Sequence, residues 1–342
     1  MGPRGQGDLE RPTLAAVAAL AGVSPSTVSR VVRGSLPVSS ERARAVQEAI
    51  ERLGYVPNFA ARQLVTNRAD VLGMVIPEDQ THIFAEPFFA RLIDGVAAGL
   101  AATPFRFVLM VGRSANDRQW LEEYAHGGHV DGLMVLSPQR GNPLAGTLQR
   151  SGVPVVFIGR PFGATGARYL DVDNVGGTRA AVHHLYERGR RNIAMITGVR
   201  NMRSSHDRHR GYLRGIEEVG LAERASLVVP SDYTAPGGQR AMTELLGRGV
   251  PVDAVVAASD MVARGALRAL HTAGLKVPED IAVVGFGGDT NSHESEPPLT
   301  TLSQPVEQMG SELARMMVAV VEGSQQPRNV LVPTELVVRA TT

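Results

Sequence analysis

A chain of 342 residues with 43% hydrophobic side chains can bury more than one core, so its length points to two or three domains and not to disorder. It contains no cysteine, which excludes disulfides, thiolate metal sites and cysteine nucleophiles. The formal net charge of +1 hides an asymmetry: residues 1–68 carry nine arginines against five carboxylates, or +4, leaving 26 basic against 29 acidic side chains, or −3, in residues 69–342. Lys276 is the only lysine. The opening MGPRGQGDLERP lacks the apolar core of a signal peptide, and no apolar run approaches the roughly 20 residues needed to cross a bilayer. The expectation is a cytoplasmic protein with no membrane partner.

In PTLAAVAALAG, Thr13 reads as a helix cap, Leu14, Val17, Ala18 and Ala21 share a face, and Gly22 stops the helix. A second helix starts after Ser24, which can cap it, at Pro25, which has no N–H to satisfy. Val28, Val31 and Val32 fall on its packing side, while Ser26, Ser29, Arg30 and Arg33 share another. A gap of four residues at most, Ala21 to Ser24, forces the two axes to cross steeply, which is a helix-turn-helix. A third helix follows, with Ser39 as its cap, Val46, Ile50 and Leu53 turned inward, and Gly54 at its end. In such a unit the second helix enters the major groove, where arginine binds guanine bidentately and serine suits either base type. An ordinary surface helix is the bland alternative, and caps, spacing and charge together disfavour it. In NFAARQLVTNR, Asn58 can cap a short stripe of Ala60, Ala61 and Leu64, too short to be a stable helix alone.

From Asp70 onward, short apolar runs alternate with helical stretches. VLGMVIP, FRFVLMVG, DGLMVLS, VPVVFIGR, NIAMITG, DAVVAAS and IAVVGFG have strand length and are apolar throughout, as strands buried on both faces are. Between them, PFFARLIDGVAAGLAA, GGTRAAVHHLYERG, RHRGYLRGIEEVGL and MVARGALRALHTAGL read as helices. The alternation predicts parallel sheets with helices on both sides, of a size for two lobes. His183–His184 and HDRH at 206–209 lack a third metal ligand at useful spacing and read as solvated. No nucleophile elbow, P-loop or dinucleotide fingerprint follows a strand, so no enzyme and no cofactor are expected.

TLAAVAALAGVSPSTVSRVVRG and VSSERARAVQEAIERLGYVPNFAARQLVTNRADVLGMVIPE, followed by GVPVVFIGRP, DVDNVGGTRAA, RHRGY, SDMVARGALRAL and VPEDIAVVGFG, resemble the lactose-repressor/galactose-repressor family of bacterial transcription regulators along nearly the whole chain. The resemblance implies a helix-turn-helix head at 11–57, a hinge helix at 58–68 and a periplasmic-binding-protein-like module at 69–342. That module would have two doubly wound α/β lobes joined by three crossings, the first lobe at roughly 69–169 with 306–332 and the second at roughly 170–305 with the end. It implies a homodimer on pseudo-palindromic operator DNA, with a small sugar as effector. The implied DNA-facing set is Thr13, Ser24, Ser26, Thr27, Ser29, Arg30, Arg33, Asn58, Ala61 and Leu64. In the family the position of Arg30 contacts bases and that of Leu64 wedges into the minor groove; a contact with the following domain is the bland alternative for Leu64. Pro25 and Ser26 occupy the positions that vary with the operator, and proline reads bases weakly, so Ser26 carries more.

For the ligand, the resemblance implies Arg208, whose fork suits paired acceptors, and Tyr233, whose ring suits a pyranose face. Phe88 and Phe89 match a ligand-facing pair, although aromatics at a helix start also serve a core. Asp260 follows Ser259, where relatives more often carry asparagine, and a cap or a ligand contact fits Asp260 equally. Gly159 and Gly287 replace aspartates that usually bind sugar hydroxyls, which argues against a compact monosaccharide and leaves Arg160 and Asp289 as substitutes. The strings FAEPFF, VGRS, HVDGLMVLS and SEPPLT resemble those of cellobiose-responsive repressors, implying a β-linked gluco-oligosaccharide. The family also has corepressed members, so the sign of the coupling stays open. A sugar-binding protein without DNA function is the alternative class.

Overall fold

The computed structural model describes residues 12–33, 38–55, 68–77, 87–112, 115–136, 140–163, 165–288, 295–324 and 327–342. The chain divides into two compact units, Met1–Ala69 and Asp70–Thr342.

In the first unit, α1 (Leu14–Ala21) begins where the Thr13 hydroxyl accepts the Ala16 N–H at 3.2 Å. It ends at Gly22, whose φ of 64° is the left-handed conformation that glycine adopts without Cβ strain. α2 (Pro25–Arg33) starts after Ser24, which accepts the Thr27 N–H at 3.2 Å. The two helices are bent by 103°, the steep crossing that a four-residue gap requires. α3 (Ser40–Leu53) ends at left-handed Gly54, but Ser39, at its N-cap position, makes no side-chain capping bond. There Glu41 in the first turn supplies the negative charge that a helix N-terminus favours. Val17, Ala18, Val28, Val46, Ala49 and Tyr55 form the core, with Val31, Ile50 and Leu53 against it. Val32 is a correction: it is 37% exposed, because a core between three short helices is too narrow to cover the full valine stripe of α2.

The second unit holds two six-stranded sheets. The first lobe contains β1 (Val71–Pro77), α4 (Pro87–Leu100), β2 (Arg106–Gly112), α5 (Ala115–His126), β3 (Gly132–Leu136), α6 (Leu144–Arg150), β4 (Val155–Ile158) and β5 (Arg168–Val172). The chain then crosses into the second lobe: α7 (Asn174–Glu187), β6 (Ile193–Thr197), α8 (Arg203–Glu218), β7 (Val228–Pro230), α9 (Ala235–Gly247), β8 (Ala254–Ala257), α10 (Asp260–Thr272), β9 (Ala282–Gly287) and β10 (Thr300–Ser303). It returns for α11 (Val306–Val321) and β11 (Asn329–Val332), and crosses a third time to β12 (Glu335–Val337). The strand orders are β11-β5-β4-β3-β1-β2 and β12-β10-β9-β8-β6-β7. Every pairing is parallel except the antiparallel β10–β12.

All seven expected strands are present, and β5, β7, β10, β11 and β12 are additional. The first crossing lies at 172–174, a few residues beyond the expected boundary, because β5 pairs with β4 inside the first sheet. α4 and α11 pack closely on the first lobe: a Cβ on Gly95 would stand 2.3 Å from the Glu307 carbonyl, and one on Gly310 would stand 2.5 Å from that of Leu92. That contact leaves room only for glycine. Among the described residues no single helix is long and apolar enough to cross a membrane.

Candidate DNA-reading face and ligand cleft

On α2, Ser26 and Arg30 are exposed and Thr27 and Ser29 half-buried, with Ser24 and Thr13 exposed at the two helix starts. The Ser24 hydroxyl is tied to Ser26 Oγ at 2.8 Å and Thr27 Oγ1 at 2.9 Å, so three small hydroxyls form one polar edge at the helix start. Arg30 Nε donates to the Ser26 carbonyl at 3.3 Å, laying the guanidinium along the exposed face. This surface offers hydroxyl and guanidinium hydrogen bonds at a helix start, the chemistry that phosphates and base edges accept. Asn58, Ala61, Leu64, Asp289 and the side chain of Arg33 lie outside the described residues.

In the second unit, the carboxyl ends of the strands bring side chains of both lobes together, where open α/β sheets place ligands. Arg208, on α8, is 7% exposed and so is not a surface ion pair. Its Nε donates to Asn174 Oδ1 at 2.8 Å, Nη1 donates to the Ala258 carbonyl, and the guanidinium lies 3.6 Å from the Phe286 ring centroid. Asn174 in turn donates to Asp171 Oδ1 at 3.1 Å, and Asp171 also accepts the N–H groups of Val172 and Arg160. Burial pushes the Asp171 carboxyl above the ordinary carboxylate range despite those donors and nearby Arg208.

Arg160, proposed as a substitute ligand group, spends its Nη2 on the Asp207 carboxylate of the other lobe at 2.9 and 3.2 Å. Asp207 is 4% exposed and also meets Arg203 Nε at 2.9 Å and Arg210 Nη2 at 3.5 Å. Beside it, the Phe162 ring carries the guanidiniums of Arg140 at 4.4 Å and Arg203 at 5.3 Å, and Arg140 N donates to the Asn201 carbonyl at 2.8 Å. Arg91, on α4, holds Glu307 through two bonds of 2.6 and 2.8 Å and donates to the Gly288 carbonyl at 3.2 Å. The two lobes are therefore joined by side-chain bonds at two separate places.

Tyr233 follows β7 with φ of 65°, its hydroxyl 2.7 Å from Ser205 Oγ and 3.2 Å from Ser204 Oγ. Before it, Asp232 accepts from Thr234 and Arg240; burial raises its carboxyl, and the Thr234 hydrogen bonds with Arg240 outweigh that and hold it low. Ser259 caps α10 by accepting the Val262 N–H at 3.2 Å. Asp260 is not the cap: it is 2% exposed and accepts from Thr301 Oγ1 at 2.6 Å. A Cβ on Gly287 would meet Asp260 Oδ2 at 3.4 Å, so the Asp260 carboxylate stands beside the place where the strand end lacks a side chain. Phe88 and Phe89, at the start of α4, are half-buried, packed edge to face at 5.3 Å and set against the main core.

His184 is a correction. It was expected in solvent, but it is buried, with Nε2 2.8 Å from Thr342 Oγ1, and burial lowers its pKa. His183 is half-buried, with Nε2 2.8 Å from Glu218 Oε2. Sequence reasoning missed Asp171, Asn174, Ser205, Asp207 and Phe286. DVDN and HDRH contained three of them, Asp171, Asn174 and Asp207, in plain view, but nothing local shows that a strand end and a helix start of different lobes will meet.

Residues 13–58 match the family described as bacterial regulatory proteins, lacI family, and residues 182–342 match the periplasmic binding protein-like domain. The chain is 45% identical to the HTH-type transcriptional regulator CelR of Thermobifida fusca, over 96% of this chain and 98% of that one. It is 31% identical to the HTH-type transcriptional regulator AglR of Rhizobium meliloti (strain 1021), over 95% and 93%. Among solved structures, a transcriptional regulator CelR–cellobiose complex matches with a TM-score of 0.77 and 43% identity, covering 97% of this chain and 100% of that one. The lac repressor dimer bound to operator and the anti-inducer ONPF matches with a TM-score of 0.86 and 27% identity, covering 97% and 99%. With a helix-turn-helix head, two α/β lobes and full-length relatives of this kind, the chain belongs to the lacI family of bacterial regulatory proteins and is a DNA-binding transcriptional regulator.

Proposed function

We propose that this regulator is a homodimeric repressor that leaves its operator when a β-linked gluco-oligosaccharide such as cellobiose fills the cleft between its lobes. The observation that carries the effector is the full-length likeness to a regulator solved with cellobiose. Two lobes tied by Arg160–Asp207 and Arg91–Gly288 support a cleft whose closure changes the relation between the lobes. The dimer follows from one head reading one half-site of a two-fold operator. The boundaries are a head at 11–57, a hinge at 58–68 and an effector module at 69–342, working in the cytoplasm.

Ser26, Ser29, Arg30 and Arg33 read bases, with Thr13, Ser24 and Thr27 beside the backbone. Asn58, Ala61 and Leu64 belong to the hinge that meets the minor groove, where a wedged leucine bends the duplex. In the cleft, Arg208, Tyr233, Ser259, Asp260, Phe88 and Phe89 meet the sugar, with Arg160 and Asp289 at its margin. The exposed face of the half-buried Tyr233 ring suits stacking on a pyranose, and the buried, doubly held Arg208 gives a fixed donor fork. The coupling between cleft and operator is reciprocal: operator DNA must weaken sugar binding by the factor by which sugar weakens DNA binding. Calorimetric titration of the full chain with cellobiose, and with maltose and glucose beside it, tests the effector. Saturable binding of cellobiose alone is expected, and binding of none or of glucose alone overturns the assignment.

A further inference from the structure

We infer that Ser205 and Gly198 are positioning residues that hold the Tyr233 ring as a fixed platform for the effector; this rests on the proposal that the ring meets the sugar. Tyr233 is one of only two non-glycine residues with positive φ among the described residues, a backbone state that persists only when its surroundings over-determine it. Contacts from two other segments, and a helix cap directly after the tyrosine, supply that. Behind the ring, Gly198 follows β6, and a Cβ there would stand 2.1 Å from Tyr233 Cζ and 2.6 Å from its Oη, so the ring lies flat against bare backbone. At the ring's far end, Ser205 Oγ, on a residue only 3% exposed, is 2.7 Å from the phenol oxygen. Ser204 Oγ adds a longer bond at 3.2 Å. Thr234 caps α9 by accepting the Gly237 N–H at 2.9 Å, fixing the chain directly after the tyrosine.

The arrangement selects the side chain as well as its pose. A phenylalanine loses the hydroxyl bond and leaves the buried Ser205 hydroxyl without its partner. A tryptophan needs space that the Gly198 backbone and α8 already fill. A ring fixed at back and tip loses little freedom when a sugar ring stacks on its open face, so the platform raises affinity by preorganisation and not by added contact.

The test uses the full chain as wild type, S205A, G198A, Y233F, Y233A and the double variant S205A/Y233F. Cellobiose titration calorimetry is combined with 13C NMR of protein labelled at tyrosine Cζ, with the Tyr233 line assigned by its loss in Y233F. S205A and Y233F are each expected to weaken cellobiose binding about 3–10-fold, and the double variant no more than either single one, because they remove one hydrogen bond. The Tyr233 line is expected to move in S205A and in G198A without sugar, with the thermal unfolding midpoint close to wild type. If the two single effects multiply, or S205A leaves both the line and the affinity unchanged, the positioning role is wrong. If Y233A binds cellobiose as wild type does, or wild type binds none, the ring's role toward cellobiose is wrong, while the sugar-free line in S205A still decides the hydrogen bond. An unmoved line refutes it in that case as well.

Discussion

Arg160→Gln removes one bond between the lobes and leaves the Asp207 carboxylate paired. Asp207 keeps Arg203 Nε at 2.9 Å when Arg160 is neutralised, so no buried carboxylate is left without a cation. What is lost is a pair of charge-assisted hydrogen bonds, 2.9 and 3.2 Å long, between a buried Asp207 and an Arg160 whose side chain is 33% exposed. Such bonds contribute about 1.5–3 kcal/mol when shielded, and with a third of the arginine in water a contribution of about 1–2 kcal/mol remains. The bond exists only when the lobes meet at this edge, so its loss disfavours that arrangement and raises the cellobiose dissociation constant by about 5–30-fold. Arg91 and the Arg140–Asn201 backbone bond still join the lobes, so closure is weakened and not abolished. Calorimetric titration of the variant reads the shift, and circular dichroism checks the fold. An affinity equal to wild type would refute the contribution of the bond to closure, and a tighter one would mean that it holds a conformation the sugar must leave.

Other consequences follow from the same geometry. Arg30→Ala should cost about 1–3 kcal/mol on the cognate operator and much less on random DNA, measured by fluorescence anisotropy at fixed salt; an equal loss on both would reduce Arg30 to a phosphate contact. Val28→Ala removes a fully buried side chain from a three-helix core and should cost the head about 2 kcal/mol, lowering its melting temperature while the larger unit melts as before. The Arg91 hydrogen bond holds the Glu307 carboxyl below its ordinary 4.5. A depressed carboxyl gives stability that is present above the unfolded value and lost as pH falls through the folded one. Wild type should therefore exceed E307Q in thermal stability above the ordinary carboxyl value of 4.5, with the gap narrowing as pH falls below it, and a constant gap would contradict the assignment.

Much of the fold was legible because its signals are local. Thr13, Gly22, Ser24 and Gly54 act where the caps and stops predict, and the seven apolar runs became strands of parallel sheets, although β2, at the edge of its sheet, is not buried on both faces and leaves Leu109 exposed. The strands that escaped are RYLDV, VVP, TTLS, NVLV and ELV. They are short or polar, and several are held by pairing to distant segments, as β11 is by β5. The site was less legible for the same reason. Arg208 and Tyr233 could be singled out by type and resemblance, yet what holds them, Asn174, Phe286, Ser205 and Gly198, comes from other elements. Nothing near Arg160 in sequence announces its partner Asp207, 47 residues away.

The most direct test of effector-controlled DNA binding is fluorescence anisotropy of the full chain on a palindromic operator from its own promoter region, at fixed salt, titrated with cellobiose and a panel of other sugars. The account predicts tight binding without sugar and release by cellobiose at concentrations near its calorimetric dissociation constant. Binding that tightens with cellobiose, or that no sugar in the panel alters, would contradict it.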